Sequence, residues 1–342
     1  MSQPIKVLSI DGGGIRGIIP AMILAHIEEM TGKRIAELFN LVAGTSTGGI
    51  LALGLTKADA KGQKPKYAAH ELVNFYEEEG TKIFTKSFLS KFGNLREEKY
   101  SATGIETVLT KYFCETQLSD VLPNVDVLIP SYEIEQRRPY FFKSSKARTK
   151  LGRNKYNFKM KDVARATSAA PTYFEPTKIQ SEYGLNNLAL IDGGVFANNP
   201  AMCAYVEARS TNSSSDILVV SLGTGELSKR LSYEKVRDWG PIEWARPILD
   251  VTFDGTNDTT HFQLQQLLSA EERYFRFQTS MSDRGDAMDD PSKENLDYLK
   301  DLAENIIHEQ GGKLERLCQL LMEPDSSHML DGSLVDSSLA LR

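Results

Sequence analysis

The apolar residues of this chain fall into short runs that end at glycine-containing turns. Runs without regular polar alternation are typical of parallel strands that are covered on both faces. They occupy residues 5–10, 39–43, 188–191 and 217–222. After the first run, apolar positions recur at helical spacing from Ile18 to Met30, Pro20 suits a first turn, and Gly32 marks the end. Strands that alternate with helices predict an α/β fold with a mostly parallel central sheet.

The same patterns extend the prediction along most of the chain. Further strands are expected at 125–129, 140–143 and 273–278, and further helices at 50–55, 162–169, 201–209, 293–309 and 313–322. Because no linker, repeat or low-complexity tract interrupts this order, we predict one domain over 1–323 with three α/β/α layers. Its core motifs fall in 5–225, and its C-terminal part at 240–323 is helical. The polar segment 324–342 is expected to be a tail outside the domain.

Composition and charge exclude several classes of protein. The 342-residue chain is 41% hydrophobic and 25% charged, and no apolar run nears the ~20 residues of a bilayer-spanning helix. No secretory signal is visible, and three widely separated cysteines make neither a disulfide framework nor a zinc site. We therefore expect a cytoplasmic protein without a metal. The net charge of −6 argues against a nucleic-acid polymer as partner.

Positive charge is concentrated in one segment of this acidic chain. Residues 136–161 contain ten of the 40 basic residues and no acidic residue, and aromatic residues are interleaved with them. Such a segment is either a solvated surface or a site for an anionic partner, which could be lipid headgroups or a phosphate-bearing activator. The sequence leaves both alternatives open.

Ser46 lies in a glycine-flanked turn, residues 44–48 (GTSTG), between a predicted strand and a predicted helix. A nucleophilic serine on such a turn has a strained backbone, and glycines two residues to either side leave room for it. The alternative is a serine that only caps the following helix. The position between strand and helix favours the nucleophile.

A second glycine turn, residues 11–17 (DGGGIRG), follows the neighbouring predicted strand. Gly12, Gly14 and Gly17 match the spacing in dinucleotide-binding folds, but the acidic residue expected at the end of the second strand is missing. Main-chain N–H groups of such a turn can instead bind negative charge. If the two turns are adjacent, this one becomes an oxyanion hole for an ester that Ser46 attacks. A nucleotide-binding protein is the alternative.

Two residues are candidates for the base that activates the serine. His261 follows Ser46 and Asp192 in the chain order of α/β-hydrolases, but no glycine turn presents it. Asp192 ends a predicted strand just before Gly193 and Gly194, so its side chain is expected to point into the cleft above the sheet. An ordinary aspartate, with a pKa of ~3.9, is a poor base at neutral pH, although burial raises that pKa. An Asp192 that only opens a turn is the alternative.

Together these motifs resemble the patatin-like phospholipase family over residues 5–310. The core motifs at 11–17, 44–48 and 192–194 occur in the order of the family, and secondary blocks at 169–174, 198–200 and 221–225 agree. The resemblance implies an acyl hydrolase with a dyad of Ser46 and Asp192, an acyl-enzyme intermediate, no metal and no organic cofactor. It assigns the oxyanion hole to Gly12, Gly13 and Gly14. The supporting motif residues are Arg16, Gly17, Gly44, Gly48, Gly193 and Gly194, and Arg16 is expected to steady the glycine loop or the substrate phosphate.

The resemblance also implies a substrate and a setting. The expected substrate is a membrane glycerolipid, which the enzyme reaches by peripheral contact with the membrane. The length and the start of the sequence are more similar to the bacterial members, some of which are antiphage effectors activated by a cyclic nucleotide. We keep cyclic-nucleotide activation as a prediction. A catalytically idle lipid-binding or storage protein is the alternative.

One apolar segment is a candidate for membrane contact. Phe84, Phe88 and Phe92 are four residues apart, as on one face of a helix, and lysines lie between them. The stripe predicts an interfacial lid, and the alternative is an ordinary helix packed on the core.

Overall fold

The structure of the protein is a computed structural model that describes residues 4–84, 100–211, 216–227, 231–244, 247–269, 272–281 and 287–323. Its strands are β1 (Ile5–Ile10), β2 (Leu41–Gly44), β3 (Asp126–Glu133), β4 (Arg138–Lys143), β5 (Thr177–Gln180), β6 (Asn187–Asp192), β7 (Ile217–Leu222), β8 (Glu226–Leu227), β9 (Tyr274–Phe277) and β10 (Ser280–Met281). The predicted tail at 324–342 lies outside the described residues.

The helices lie mainly between these strands and after the last of them. They are α1 (Ile18–Thr31), α2 (Ile35–Leu38), α3 (Thr47–Thr56), α4 (Ala69–Ile83), α5 (Ala102–Phe113), α6 (Ser144–Arg148), α7 (Arg153–Tyr156), α8 (Met160–Thr167), α9 (Gly194–Ala197), α10 (Ala201–Thr211), α11 (Tyr233–Val236), α12 (Pro241–Trp244), α13 (Pro247–Leu267), α14 (Lys293–Glu309) and α15 (Gly311–Met322). None of the described helices is both long and apolar enough to cross a membrane.

Eight strands form the main sheet, in the order β5-β6-β3-β2-β1-β7-β9, with β4 paired to β3 outside that order. The five strands β3, β2, β1, β7 and β9 pair in parallel, as predicted. The other three strands, β4, β5 and β6, pair antiparallel. A short turn at 134–137 joins β3 to β4, and only antiparallel neighbours allow so short a connection. The sheet is therefore parallel at its centre and antiparallel at one end.

Helices cover both faces of the sheet, which gives the predicted three layers. Alternate residues of a strand point to opposite faces. Accordingly, Leu8 and Ile10 belong to a large core cluster that includes residues of α1, α3, α4, α5, α8, α14 and α15. Val7 belongs to a smaller cluster on the other face, which includes residues of α10 and α13. Val7, Leu8 and Ile10 are all fully buried, so β1 lies at the centre of the fold.

The pairing of β3 brings the ends of two other strands together. Leu128 pairs with Ala43 of β2 and also with β4, while Ser131 pairs with Asp192 of β6 and also with β4. Both β2 and β6 therefore lie on the edge of β3 opposite β4. Because β2 runs parallel and β6 antiparallel to β3, their carboxyl ends approach each other about three residues apart, roughly 10 Å. The residues that follow β2 thus lie beside the residues that end β6.

Candidate active site

Ser46 occupies a strained turn between β2 and α3. Its φ of 56° and ψ of −122° are unusual for a residue with a side chain. The glycines at 44 and 48 make this turn possible, because neither position has space for a Cβ. A Cβ at Gly44 would lie 2.0 Å from the Gly48 carbonyl oxygen, and one at Gly48 would lie 2.2 Å from the Ile10 carbonyl oxygen. The turn packs directly against the carboxyl end of β1.

The Ser46 hydroxyl does not cap helix α3, although Ser46 precedes the helix. It lies beside the carboxyl of Asp192 instead, close enough to lower the pKa of that carboxyl, and both residues line one cavity. The alternative of a simple capping serine therefore does not describe this structure. The structure therefore places Ser46 and Asp192 next to each other at one cavity.

Asp192 ends β6 and is only 2% exposed. The Gly194 N–H donates a hydrogen bond to Asp192 Oδ1 at 2.7 Å, and the Asp192 N–H donates to the Ala169 carbonyl oxygen at 3.0 Å. Burial raises the pKa of the Asp192 carboxyl to about 7, although the Gly194 N–H and the Ser46 side chain act to lower it. Near neutral pH such a carboxylate accepts a proton more readily than an ordinary aspartate.

The glycine loop after β1 lies beside Ser46, since a Cβ at Gly12 would lie 3.3 Å from the Ser46 Cβ. The Gly12 carbonyl oxygen accepts hydrogen bonds from Thr224 Oγ1 at 2.7 Å and from Asn198 Nδ2 at 3.4 Å. These contacts fix the orientation of the Gly12–Gly13 peptide group. Because that peptide is trans, its N–H, which belongs to Gly13, points in the opposite direction from the Gly12 carbonyl. Gly13 lines the cavity that contains Ser46.

The N–H groups of the loop differ in whether they have an acceptor. The Gly12 N–H donates to the Asn198 carbonyl oxygen at 3.0 Å, and the Ile15 N–H donates to the Met288 carbonyl oxygen at 2.9 Å. The N–H groups of Gly13 and Gly14 have no acceptor within the described part of the chain. Gly14 has a φ of 60°, and a Cβ there would lie 2.1 Å from the Met288 carbonyl oxygen. Two neighbouring donors are therefore free to bind an anion.

The supporting motif residues lie around this centre. Arg16 is buried, and its Nε donates to the Gly13 carbonyl oxygen at 3.3 Å, which steadies the glycine loop. A Cβ at Gly17 would lie 2.3 Å from both the Thr47 and the Tyr76 hydroxyl oxygens. Gly193 allows close approach to β3, because a Cβ there would lie 2.5 Å from the Pro130 carbonyl oxygen.

A small cavity of about 60 Å³ opens onto Ser46, Asp192, Gly13 and Gly14. The rest of its lining is mostly apolar and includes Ile50, Phe75, Ile83, Phe84, Ile105 and Phe174. An apolar wall beside an activated hydroxyl suits a fatty-acyl chain better than a polar group. Of the predicted membrane stripe, Phe84 lines this cavity, whereas Phe88 and Phe92 lie outside the described residues.

His261 is not part of this cavity. It lies on α13, where its Nδ1 is 3.0 Å from the Tyr274 hydroxyl, and it lines a separate polar cavity. Burial lowers the pKa of His261. Of the two candidate bases, only Asp192 lines the cavity that contains Ser46. Within the described ranges, no group of three His, Cys, Asp or Glu side chains could hold a metal ion.

Sequence reasoning missed the partner of Asp11. Arg276, on β9, donates from Nη2 to Asp11 Oδ2 at 2.6 Å and from Nη1 to the Ser221 hydroxyl at 2.8 Å. Asp11 is fully buried, and burial raises its pKa to about 6 although Arg276 acts to lower it. A single charged residue within the apolar strand Tyr-Phe-Arg-Phe is the signal that could have identified Arg276.

Half of the basic segment at 136–161 is paired with acidic residues from other parts of the chain. The pairs are Lys143–Glu207, Arg148–Asp126, Arg153–Glu182, Lys159–Glu115 and Lys161–Glu115. Arg148 also donates to the carbonyl oxygens of Val121, Leu122 and Val125. Five of the ten cations thus have partners within the fold, and a structural role accounts for them.

Comparison with known proteins identifies the family of the chain. The family model for patatin-like phospholipases matches residues 8–205. Patatin-like protein 1 of Arabidopsis thaliana is 34% identical over 89% of this chain and 81% of its own length. Patatin-like protein 4 of the same plant is 33% identical over 89% and 83%. The crystal structure of VipD from Legionella pneumophila aligns over 90% of this chain and 68% of VipD, with a TM-score of 0.40 and 11% identity. The chain therefore belongs to the patatin-like phospholipase family and is a lipid acyl hydrolase that acts on ester bonds.

Proposed function

We propose that this enzyme cleaves fatty-acyl esters of membrane glycerolipids, with Ser46 as the nucleophile and Asp192 as the base. One observation carries the proposal: the Ser46 hydroxyl lies beside a buried carboxyl whose pKa is about 7, and both residues line one cavity. A hydroxyl in contact with such a base can lose its proton as it attacks a carbonyl carbon. The strained turn and the two free N–H groups beside it support the same roles.

In the first half of the reaction, the Asp192 carboxylate accepts the Ser46 hydroxyl proton as Oγ bonds to the acyl carbonyl carbon. The carbonyl oxygen becomes an oxyanion, to which the N–H groups of Gly13 and Gly14 donate. We assign no oxyanion contact to the N–H of Gly12, because it already donates to Asn198. The bond to the glycerol oxygen then breaks, that oxygen takes the proton from Asp192, and the acyl group stays on Ser46.

In the second half, water hydrolyses the acyl-enzyme. Asp192, again a carboxylate, takes a proton from a water molecule as its oxygen attacks the acyl carbon. The same two N–H groups stabilise the second oxyanion. The bond to Ser46 Oγ breaks, the proton returns from Asp192 to Oγ, and the fatty acid leaves. Both halves use the same residues, so the enzyme ends in its starting state.

The hydrogen bonds of the glycine loop favour this reaction over nucleotide binding. A pyrophosphate needs several N–H donors from the turn and the following helix, together with an acidic residue for the ribose. Here the N–H groups of Gly12, Ile15 and Arg16 already have acceptors within the chain. Two adjacent free donors match the needs of a single oxyanion.

Covalent labelling tests the dyad. Intact-mass measurement after treatment with a fluorophosphonate is expected to show one adduct on the wild type and none on Ser46→Ala. Asp192→Asn is expected to react at least about 10² times more slowly, because the base is gone. Ser101→Ala and Asp126→Asn serve as matched controls, since both residues lie outside the cavity. An adduct that persists in Ser46→Ala would overturn the assignment.

Vesicle assays test the substrate class. Vesicles of phosphatidylcholine, with and without an anionic phospholipid, are expected to release fatty acid with the wild type and not with Ser46→Ala. Equal lipid binding by both proteins with no release by either would instead show an idle lipid-binding protein. Binding that weakens as salt rises would support membrane contact through the basic segment at 136–161.

Activation by a cyclic nucleotide and a role in antiphage defence stay predictions of the family resemblance. A panel of cyclic nucleotides added to the vesicle assay tests the first of them. An increase in fatty-acid release with one member of the panel would support it. Equal release with and without every member, from an enzyme already shown to be active, would remove it.

A further inference from the structure

The C-terminal end of α8 contacts the main chain of both proposed dyad residues. Thr167, the last residue of α8, accepts a hydrogen bond at Oγ1 from the Ser46 N–H at 3.0 Å. Two residues later, the Ala169 carbonyl oxygen accepts the Asp192 N–H, also at 3.0 Å. Ser46 follows β2 and Asp192 ends β6. The short segment 167–169 accepts a main-chain hydrogen bond from each of them.

The surroundings of Thr167 fix its own side chain. Its hydroxyl donates to the Pro130 carbonyl oxygen on β3 at 2.6 Å. Because a carbonyl only accepts and an N–H only donates, the hydroxyl proton must point to Pro130 and a lone pair must face Ser46. Thr167 is fully buried, and a Cβ at Gly49 would lie 2.7 Å from its Cγ2. The side chain therefore has one orientation available.

We propose that Thr167 is a positioning residue of the reaction, which sets the place of the Ser46 hydroxyl relative to Asp192 and to the N–H groups of Gly13 and Gly14. This inference rests on the proposed function. The Ser46 backbone is strained, and strained conformations persist only where the surroundings hold them. Without an acceptor for the Ser46 N–H, the turn can relax to a less strained backbone conformation. The Ser46 hydroxyl then moves away from the Asp192 carboxylate. A displacement of about 1 Å at a reacting group is enough to cost about 10²-fold in rate.

Three variants separate positioning from simple stabilisation. Thr167→Val keeps the shape of the side chain and removes Oγ1, whereas Thr167→Ser keeps Oγ1. Thr56→Val is the matched control: Thr56 is also a fully buried threonine, and its Oγ1 donates to the Ala52 carbonyl oxygen at 2.7 Å within α3, away from the cavity. Each variant is assayed for the rate of fluorophosphonate labelling, for kcat and KM on a short-chain p-nitrophenyl ester, and for Tm.

Thr167→Val is expected to label and turn over about 10- to 100-fold more slowly, with KM within about twofold of the wild type, because the loss concerns the attack itself. Thr167→Ser is expected to stay within about threefold of the wild type in both rates. Thr56→Val is expected to lose stability without losing kcat. If Thr167→Val does not fold, Thr167→Ala, which also lacks Oγ1 and is smaller, replaces it with the same expected loss.

Labelling and turnover of a folded Thr167→Val or Thr167→Ala within threefold of the wild type would overturn the inference, and so would equal losses in Thr167→Ser and Thr167→Val. A wild type that is not labelled at Ser46 would refute the proposed function itself. The two failures are therefore distinguishable.

Discussion

At the scale of single residues, the environment of Asp192 determines whether it can act on Ser46 without a histidine. Its carboxyl is buried, which raises its pKa to about 7 although the Gly194 N–H and the Ser46 side chain act to lower it. We expect kcat/KM for an uncharged ester to rise with pH to a plateau, with a midpoint near 7, because only the carboxylate accepts the Ser46 proton. A pH–rate profile from 5 to 9 measures it, and a profile that is flat over this range would show that Asp192 is not the base.

The same pKa shift predicts how Asp192 affects stability. A carboxyl whose pKa is higher in the folded than in the unfolded state destabilises the fold as pH rises from about 4 to 7, since the unfolded chain loses its proton first. Asp192→Asn carries no such charge. We therefore compare the Tm of Asp192→Asn with the Tm of the wild type at each pH. The variant's Tm minus the wild type's Tm is expected to be about 2–6 °C larger at pH 8 than at pH 5. Thermal melts at the two pH values measure the difference.

At the scale of elements, the sequence predicts those parts of the site that leave a local pattern in it. The glycines around Ser46 are visible as a pattern because no side chain fits at those positions, and β1, β7 and α14 have the predicted bounds. Helix α13 lies within the segment 240–323 that is expected to be helical, but the sequence predicts no bounds for it. Only Asn257 and Leu264 are buried along its 21 residues, so its sequence has almost no apolar periodicity. The contact between Ser46 and Asp192 depends on strand register along β3, which no local pattern encodes.

Substitution of Gly48 tests the turn as an element. In Gly48→Ala the new methyl group would meet the Ile10 carbonyl oxygen at 2.2 Å, so α3 must move away from β1. We expect a loss of about 2–4 kcal/mol in the free energy of unfolding, and loss of fluorophosphonate labelling in the protein that remains folded. The matched control is Gly255→Ala in α13, where a Cβ meets nothing within 4 Å and is expected to stabilise the helix by up to about 1 kcal/mol. Denaturant unfolding compares the two, and equal stability of Gly48→Ala and the wild type would contradict the steric argument.

At the scale of the whole molecule, a buried ion pair joins the C-terminal part of the fold to the start of the glycine loop. Arg276 and Asp11 lie 265 residues apart in the chain, so no local pattern could pair them. Arg276 also holds Ser221 of β7, and the Lys313 ammonium of α15 donates to the Arg276 carbonyl oxygen at 2.7 Å. The glycine loop is therefore supported by elements that follow the family-matched segment, residues 8–205.

Removal of Arg276 leaves Asp11 buried without its counter-charge. We expect Arg276→Met to lose about 3–5 kcal/mol in the free energy of unfolding at pH 8. The Asp11 carboxylate then stays buried, and no counter-charge offsets the cost of its desolvation. The loss should shrink at pH 5, since without Arg276 the pKa of Asp11 rises further above about 6 and the carboxyl is then protonated in the fold. Asp11→Asn combined with Arg276→Met is expected to recover part of the loss at pH 8. Arg237→Met, which breaks the exposed pairs with Glu234 and Asp238, is expected to cost less than about 1 kcal/mol at either pH. Denaturant unfolding at both pH values measures all four proteins, and an Arg276→Met loss that does not depend on pH would show that the charge of Asp11 is not the cause.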